Sequence, residues 1–118
     1  MAKFKFVEWL IFWLQETLQF QFDWDEGNSA KSAAKHGVTT EETEEVFELG
    51  QAAALGVQVS PSVSEERLGI VGVTAAGRIL HVVFTLRAGK VRPISTRPAK
   101  KDEREYYEAY LREISKRV

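Results

Sequence analysis

The stretch that most constrains the fold of this chain is residues 78–97, which has the pattern of two antiparallel strands joined by a tight turn. Its first strand is rich in the β-branched and aromatic residues that favour a pleated sheet. Gly89 follows where a short hairpin loop requires a positive φ angle. Alternation along the first strand predicts an apolar face, formed by Leu80, Val82, Phe84 and Leu86. The opposite face carries the ionisable side chains of His81 and Arg87.

Length and composition limit the class of protein. A chain of 118 residues predicts a single domain over residues 1–118. The absence of cysteine excludes disulfides and suits a reducing cytosol. The longest apolar run, residues 9–14, is far shorter than the roughly 20 residues that a membrane span needs. We therefore expect a cytoplasmic protein that does not span a membrane. The Walker, zinc-protease and dinucleotide-binding signatures are also missing, so we expect no metal site and no cofactor.

The charge is distributed unevenly along the chain. Residues 1–66 hold 4 Lys/Arg and 12 Asp/Glu, a net charge of −8, whereas residues 67–118 hold 12 Lys/Arg and 5 Asp/Glu, a net charge of +7. A basic half of this kind favours a polyanionic partner such as nucleic acid. The alternative is that the two halves neutralise each other in the folded protein.

The periodicity of apolar residues gives the order of the elements. The predicted elements are a helix at 6–17, a strand at 18–24, helices at 25–35 and 39–49, strands at 52–60 and 67–74, the hairpin, and a helix at 101–116. Asp25 is the predicted N-cap of the second helix and Gly37 its end, while Thr39 and Glu42 form a capping-box pattern. Four sequential strands and segregated helices predict an α+β domain, with a small antiparallel sheet packed against helices and an extra helix at the N-terminus.

Several short segments resemble, in order and spacing, the BrnT family. They are Phe22-Asp-Trp-Asp-Glu-Gly-Asn28, Lys35-His-Gly-Val38, Glu44-Glu-Val-Phe47, Glu65-Glu-Arg67, Gly77-Arg78, Ile94-Ser-Thr-Arg97 and Glu103-Arg104 followed by Tyr107. BrnT proteins are toxins of type II toxin–antitoxin pairs, similar in fold to RelE-type ribonucleases. The resemblance covers residues 20 to about 110 and implies an endoribonuclease that acts on RNA and is neutralised by a BrnA-type antitoxin.

The chain departs from the family pattern at four places. The first 19 residues precede the usual family start and form the predicted N-terminal helical extension. Ser32 stands where the family usually has Asn, and Lys100 replaces a Ser or Thr that would cap the last helix. Pro93 interrupts the usual Arg-Ile-Ile-Ser run. Because proline cannot donate to a strand ladder, Pro93 predicts an edge strand or a bulge.

Arginines are the candidate groups for metal-independent RNA cleavage. A guanidinium matches phosphate oxygens and stays charged, so it can stabilise the charge that develops on a phosphate. The resemblance places the family's own arginines at Arg67, Arg92 and Arg97. Strict alternation puts Arg92 and Arg97 on opposite faces unless Pro93 marks a bulge. The alternative is that these arginines are surface residues or form ion pairs with Glu65, Glu66 or Glu103.

Two further residues are candidates for proton transfer. His81 can titrate near neutrality, but its favoured alternative is a neutral or half-exposed strand histidine. Tyr107 can donate a proton or stack on a base, or it can simply pack the last helix onto the sheet. The candidate RNA contacts are Lys35, His36, Arg78 and Arg87. Among these, His36 fits a helix terminator better than an acid or base, because Gly37 follows it.

The alternative function is a non-catalytic interaction module with the same fold. Its motivation is the aromatic load of the N-terminal helix, which comprises Phe6, Trp9, Phe12 and Trp13. A helix that is apolar on two sides must be covered, either by the sheet or by another subunit. This reading predicts an oligomer, such as a homodimer, formed through that helix.

Overall fold

The computed structural model describes residues 2–116, which form a five-stranded antiparallel sheet and four helices. The elements are β1 Lys3–Lys5, α1 Glu8–Glu16, α2 Lys31–His36, α3 Thr40–Glu48, β2 Ala53–Ser60, β3 Leu68–Val73, β4 Ile79–Arg87, β5 Lys90–Pro98 and α4 Lys101–Lys116. The order of the strands in the sheet follows the order of the chain. The α+β class with a small antiparallel sheet is therefore confirmed. No helix within residues 2–116 is long and apolar enough to cross a membrane.

The predicted apolar face of β4 forms the main core. Leu80, Val82 and Phe84 are fully buried, and they pack with residues of α1 and α3. Phe47 of α3 makes an edge contact with Phe84, with ring centroids 5.0 Å apart. Trp13 of α1 stacks on the same ring at 5.8 Å. The aromatic side chains of the N-terminal helix thus divide, because Trp13 points to the sheet while Phe6, Trp9 and Phe12 are 52%, 43% and 49% exposed.

The opposite face of the sheet is covered in part by α4. Tyr107 is buried there against Ala53, Val71 and Ala99, and its hydroxyl donates a hydrogen bond to the carbonyl oxygen of Gln51. The ionisable residues of this face predict exposure to solvent, but His81 is only 4% exposed.

The hairpin, the Gly37 helix end and the Thr39 capping box form as predicted. Gly37 ends α2 with φ of 66°, and Thr39 and Glu42 make a reciprocal capping box at the start of α3. Pro93 lies on the edge strand β5, at a bulge where the pairing partner of Val83 is Ser95 and that of Phe84 is Pro93. The bulge preserves the pairing on both sides of the proline.

The predicted strand at 18–24 is wrong. In this segment only Phe22 makes a bridge, with Val91, whose N–H donates to Gln21 and whose carbonyl accepts from Asp23. The alternating pattern reflects side-chain packing, since Phe20 and Phe22 both contact the Phe47 ring. The backbone therefore follows the outer edge of β5 without becoming a sixth strand.

The second predicted helix starts later than expected. Asp25 does not cap it, because the Asp25 carboxylate accepts from the N–H of Gly27 and closes a local turn. The Asn28 side chain then donates to the carbonyl oxygens of Asp23 and Pro93. Regular α2 begins only at Lys31.

The short strand β1 was not predicted. It pairs antiparallel with β2, where Phe4 lies opposite Gln58 and Lys5 opposite Val57. Gly56 permits this approach, since a Cβ there would overlap the Lys5 carbonyl oxygen and its φ of 132° excludes most side chains. Three residues carry too little alternation to be recognised as a strand in the sequence.

Candidate functional site

A cleft of about 310 Å³ opens on the sheet face that α4 covers in part. It is lined by residues of β2, β4 and β5 and by residues that flank β1, β2, β3 and α4, namely Ala2, Gln58, Pro61, Arg67, His81, Val83, Ile94, Ser95, Arg97 and Lys100. Three of these side chains are cations, Arg67, Arg97 and Lys100. We call these three residues, together with His81 and Glu103, the cleft cluster.

Arg97 is held rigidly at one side of the cleft. Its two terminal nitrogens donate to the two carboxylate oxygens of Glu103, at 2.7 and 2.8 Å. The backbone N–H of Lys100 donates to the same carboxylate at 2.8 Å. Burial opposes ionisation of Glu103, but the hydrogen bonds from Arg97 and the Lys100 N–H outweigh it and lower the pKa of Glu103 to about 2. The pair therefore stays ionised at neutral pH.

Arg67 differs from Arg97 in having no carboxylate partner. Its backbone carbonyl accepts from the N–H of Gln58, which fixes the residue just before β3. Among the residues of range 2–116, no acidic group lies within 4.0 Å of its guanidinium, and its buried Nε has no hydrogen-bond partner. An unpaired guanidinium at a cleft is well suited to bind an anion, since a buried donor without a partner is costly.

His81 lies on the floor of the cleft, opposite Arg97 on β5. Burial lowers the pKa of His81 to about 4; the nearby charges of Arg97 and Lys100 act in the same direction, while that of Glu103 opposes them. Nε2 is buried without a hydrogen-bond partner, and it lies 3.7 Å from Oε2 of Glu103. Of the two alternatives for His81, the structure favours the neutral strand histidine, because the lowered pKa leaves the imidazole uncharged at neutral pH. A neutral imidazole can accept a proton.

Arg92 and Arg87 form a second group of charges, at the tip of the β4–β5 hairpin. Arg92 donates to both carboxylate oxygens of Asp25, at 3.0 and 3.1 Å, and lies 3.7 Å from Asp23. Arg87 donates to both oxygens of Glu65, at 2.8 and 3.2 Å. We call these five residues the hairpin cluster. Because of the bulge, Arg92 pairs with Thr85 and Arg97 with His81, two residues on the same face of β4. These two positions are about 13 Å apart along the strand, and Arg92 does not line the cleft.

Arg78, Lys35 and His36 lie in a third region, around the start of α3. Arg78 donates to Glu42 at 2.8 Å and to the carbonyl oxygen of Gly37 at 3.2 Å. Lys35 is exposed on α2, and His36 is the last residue of that helix. Arg87 is about 30 Å from Arg78 along β4, so the four candidate RNA contacts do not form one surface.

Tyr107 also lies away from the cleft. Its ring is buried beneath α4, and burial is the main cause that raises the pKa of its hydroxyl. The packing alternative for Tyr107 thus matches its position in the structure.

From the sequence alone, Glu103 is only a possible ion-pair partner and Lys100 only a departure from the family pattern. Glu103 stands three residues after Lys100, at the N3 position of a capping box, so it can accept from the N-cap N–H although Lys100 cannot supply the other half of the box. No spacing in the sequence, however, relates Glu103 to His81, or Phe4 to the cleft. Within the described part of the chain, no group of three or more His, Cys, Asp or Glu side chains is arranged to hold a metal ion.

Comparison with known proteins assigns the family. The profile of a family described as "Ribonuclease toxin, BrnT, of type II toxin-antitoxin system" matches residues 24–103. The chain belongs to the BrnT family. BrnT-family membership makes it a ribonuclease toxin of a type II system, with RNA as target and an antitoxin protein as partner. The matched segment contains the cleft cluster, whereas β1 and α1 precede it.

Structural comparison gives a BrnT protein as well. The ribonuclease toxin BrnT of Brucella abortus is similar, with 23% sequence identity and a TM-score of 0.48; the alignment covers 72% of this chain and 100% of that chain. No curated protein matches this BrnT-family chain in sequence. The predicted likeness to RelE-type ribonucleases stays a prediction.

Proposed function

We propose that this chain cleaves RNA in the cleft by a metal-independent reaction, with Arg67 and Arg97 bound to the scissile phosphate and His81 as proton acceptor. The observation that carries the proposal is the meeting of three cations, from the start of β3, from β5 and from the residue before α4, above one neutral imidazole. Arg92, the third arginine at a family position, does not meet a base in this way.

The chemistry requires three groups with different tasks. The ribose 2′-hydroxyl loses its proton to His81 as its oxygen attacks the adjacent phosphorus. Negative charge then grows on the phosphate oxygens, where the guanidinium of Arg67 stabilises it most, because no carboxylate neutralises this side chain. The 5′-oxygen leaves with a proton, and we assign that proton to the ammonium group of Lys100, the remaining cationic donor of the cleft.

Arg97 has a supporting part in this proposal. Its pairing with Glu103 fixes the guanidinium and removes much of its net charge. A fixed donor of this kind orients a phosphate without adding a large attractive field. Arg67 is therefore the residue whose loss should be felt most.

The test compares two arginines that differ in their partners. Purified full-length protein is incubated with single-stranded RNA, and cleavage rates are measured for wild type, Arg67→Ala and Arg92→Ala. We expect Arg67→Ala to lose about 10²- to 10³-fold, as expected for removal of a donor to a developing oxyanion. Arg92→Ala is the control, and it should lose no more than about threefold, since its ion pair lies outside the cleft.

Three results would count against the proposal. Equal losses in the two arginine variants would reject the cleft as the site. Full activity of His81→Gln would remove His81 as the proton acceptor. Loss of activity in a chelator, restored by a divalent cation, would reject the metal-independent reaction.

We also propose that the antitoxin is of the BrnA type and that the toxin acts in the cytoplasm, where its RNA target occurs. The resemblance to BrnT supports this partner. Co-expression with a BrnA-type protein should restore growth of cells that produce this chain, and a stable complex should co-purify. Growth arrest that persists beside such a protein, with no complex formed, would contradict the assignment.

A second candidate function is oligomerisation through α1, which the exposed Phe6, Trp9 and Phe12 favour. A monomer rarely exposes three aromatic side chains so close together on one short helix and the segment that precedes it. Sedimentation of the wild type against a Trp9→Ser, Phe12→Ser variant tests it. A monomer in both proteins would reject this candidate.

A further inference from the structure

The N-terminal strand β1 lies outside the segment that matches the BrnT family, yet it borders the cleft. Ala2 contributes to the cleft lining, and Phe4 follows it on β1. Two glycines of the family segment leave room for this strand. Gly56 accommodates the Lys5 carbonyl, and a Cβ on Gly69 would lie 2.6 Å from Cε1 of Phe4. The docking of β1 is therefore a close fit in two places.

Phe4 reaches across β2 and β3 to the imidazole of His81. The two ring centroids are 5.6 Å apart and the rings meet edge to face at 63°. Gly69 lies beneath this path, so the absence of a side chain there lets the phenyl ring lie on the sheet. The contact covers His81 with an apolar group, which agrees with its 4% exposure.

The charged groups around His81 come from the other side. Arg97 on β5 lies opposite it, and Lys100, Asp102 and Glu103 lie at the start of α4. The facing residue on β3 is Val71, which carries no charge. Lys3 and Lys5, which flank Phe4, are exposed. Phe4 is thus the aromatic ring that the N-terminal segment sets against the imidazole.

We propose that Phe4 is a positioning residue for RNA cleavage: its ring holds the His81 imidazole in place and keeps water from it, so that β1 completes the cleft of the BrnT domain. This inference rests on the proposed function of His81 as the proton acceptor. Phe4 itself touches neither the phosphate nor the ribose in this scheme. It acts through His81 alone, because an edge-to-face contact fixes the plane of the second ring.

Removal of Phe4 has a specific consequence for protonation. Burial is the largest cause of the lowered pKa of His81, so exposure of the ring should raise that pKa from about 4 towards its ordinary value of 6.5. Below about pH 6.5 the variant would then hold His81 partly protonated, while the wild type holds it neutral. The acidic limb of the cleavage profile should move to higher pH.

The experiment follows the histidine ring signals of the full-length protein by NMR as the pH is changed. The chain has two histidines, so His36 is an internal reference. In Phe4→Ala we expect the midpoint of His81 to rise from about 4 to near its ordinary value of 6.5, and cleavage near pH 5.5 to fall about tenfold relative to pH 8. Phe4→Leu should stay near the wild type, since it keeps an apolar cover. Phe6→Ala removes an exposed aromatic side chain nearby and is the matched control.

Gly69→Ala provides an independent variant, because its methyl group displaces the Phe4 ring without removing it. It should move the His81 midpoint in the same direction. If the His81 titration midpoint is unchanged in folded Phe4→Ala, Phe4 is not a positioning residue for His81, and the nuclease proposal is unaffected. If His81→Gln instead cleaves RNA at the wild-type rate, His81 is not the proton acceptor, and Phe4 cannot affect catalysis through it. The two failures are therefore distinguishable.

Discussion

The cleft cluster and the hairpin cluster lie on the same face of the sheet and are both rich in arginine, but their charges are balanced differently. In the cleft, Arg97 pairs with Glu103, whereas the side chains of Arg67 and Lys100 have no carboxylate within 4.0 Å among the described residues. At the hairpin tip, Arg87 and Arg92 meet Asp23, Asp25 and Glu65. The difference shows that family-position arginines are not equivalent: Arg67 carries an unpaired charge, whereas the charges of Arg92 and Arg97 are balanced by carboxylates from elsewhere in the chain.

The largest expected difference between the clusters concerns acid. His81 is buried in the cleft cluster, and its folded-state pKa of about 4 lies below the ordinary 6.5. As the pH falls below about 6.5, protons bind the unfolded chain first, so the free energy of unfolding should decrease until about pH 4 by an amount on the order of 3 kcal/mol. Urea unfolding at several pH values measures this loss.

The control for this prediction is the second histidine. His81→Gln should remove the decrease between about pH 6.5 and pH 4.5, whereas His36→Gln should retain it. Below that range the loss of Glu103 ionisation should continue to destabilise the protein, because its lowered pKa contributes stability that disappears as the pH falls from 4.5 towards about 2. A decrease that is the same in both variants would show that His81 is not the source of the acid response between about pH 6.5 and pH 4.5.

The next largest difference concerns the two glutamates. Glu103→Gln should lower the free energy of unfolding by about 2 kcal/mol, since it weakens three charge-assisted hydrogen bonds at a largely buried carboxylate. Glu65→Gln should have a much smaller effect on the free energy of unfolding, because its ion pair with Arg87 is exposed to water. Thermal or urea unfolding of the two variants compares them directly. Equal costs would remove the distinction between a clamped and a solvated pair.

The smallest expected effect is on RNA binding. Asp25→Asn releases Arg92 from its bidentate partner, so one further cation becomes available to phosphate. The slope of log affinity for single-stranded RNA against log salt should steepen by about 0.7. Glu26→Gln is the matched control, since it changes the net charge equally at an exposed position next to Asp25. A similar change in both variants would mean that net charge, and not the freed arginine, is responsible.

Local patterns in the sequence predicted much of the fold. The hairpin, the capping box of Thr39 and the Gly37 terminus depend on residues a few positions apart, so the sequence contains their whole cause. The strand at 18–24 failed because its alternation serves packing against Phe47, while its backbone finds one strand partner at Val91. Period alone cannot distinguish these cases.

The candidate site was harder to predict for a related reason. Arg67, Arg97 and His81 do line one cleft, but Arg92 is removed from it by Asp25, which lies 67 residues away in the chain. Phe4 contacts His81 from outside the family segment. Both contacts join residues far apart in the chain and leave no local pattern in the sequence. Charge and family resemblance therefore identify candidate residues but not the residues that they contact.

The treatment of the sheet's two outer edges affects the tendency of the protein to self-associate. At β5 the N–H and carbonyl of Val91 are already bonded to residues 21–23, and Pro93 has no N–H to offer. At the other edge, β1 is only three residues long and carries two exposed lysines. Short, charged or occupied edges resist the addition of further strands. These two edges therefore protect the toxin from ordered aggregation when no antitoxin is bound.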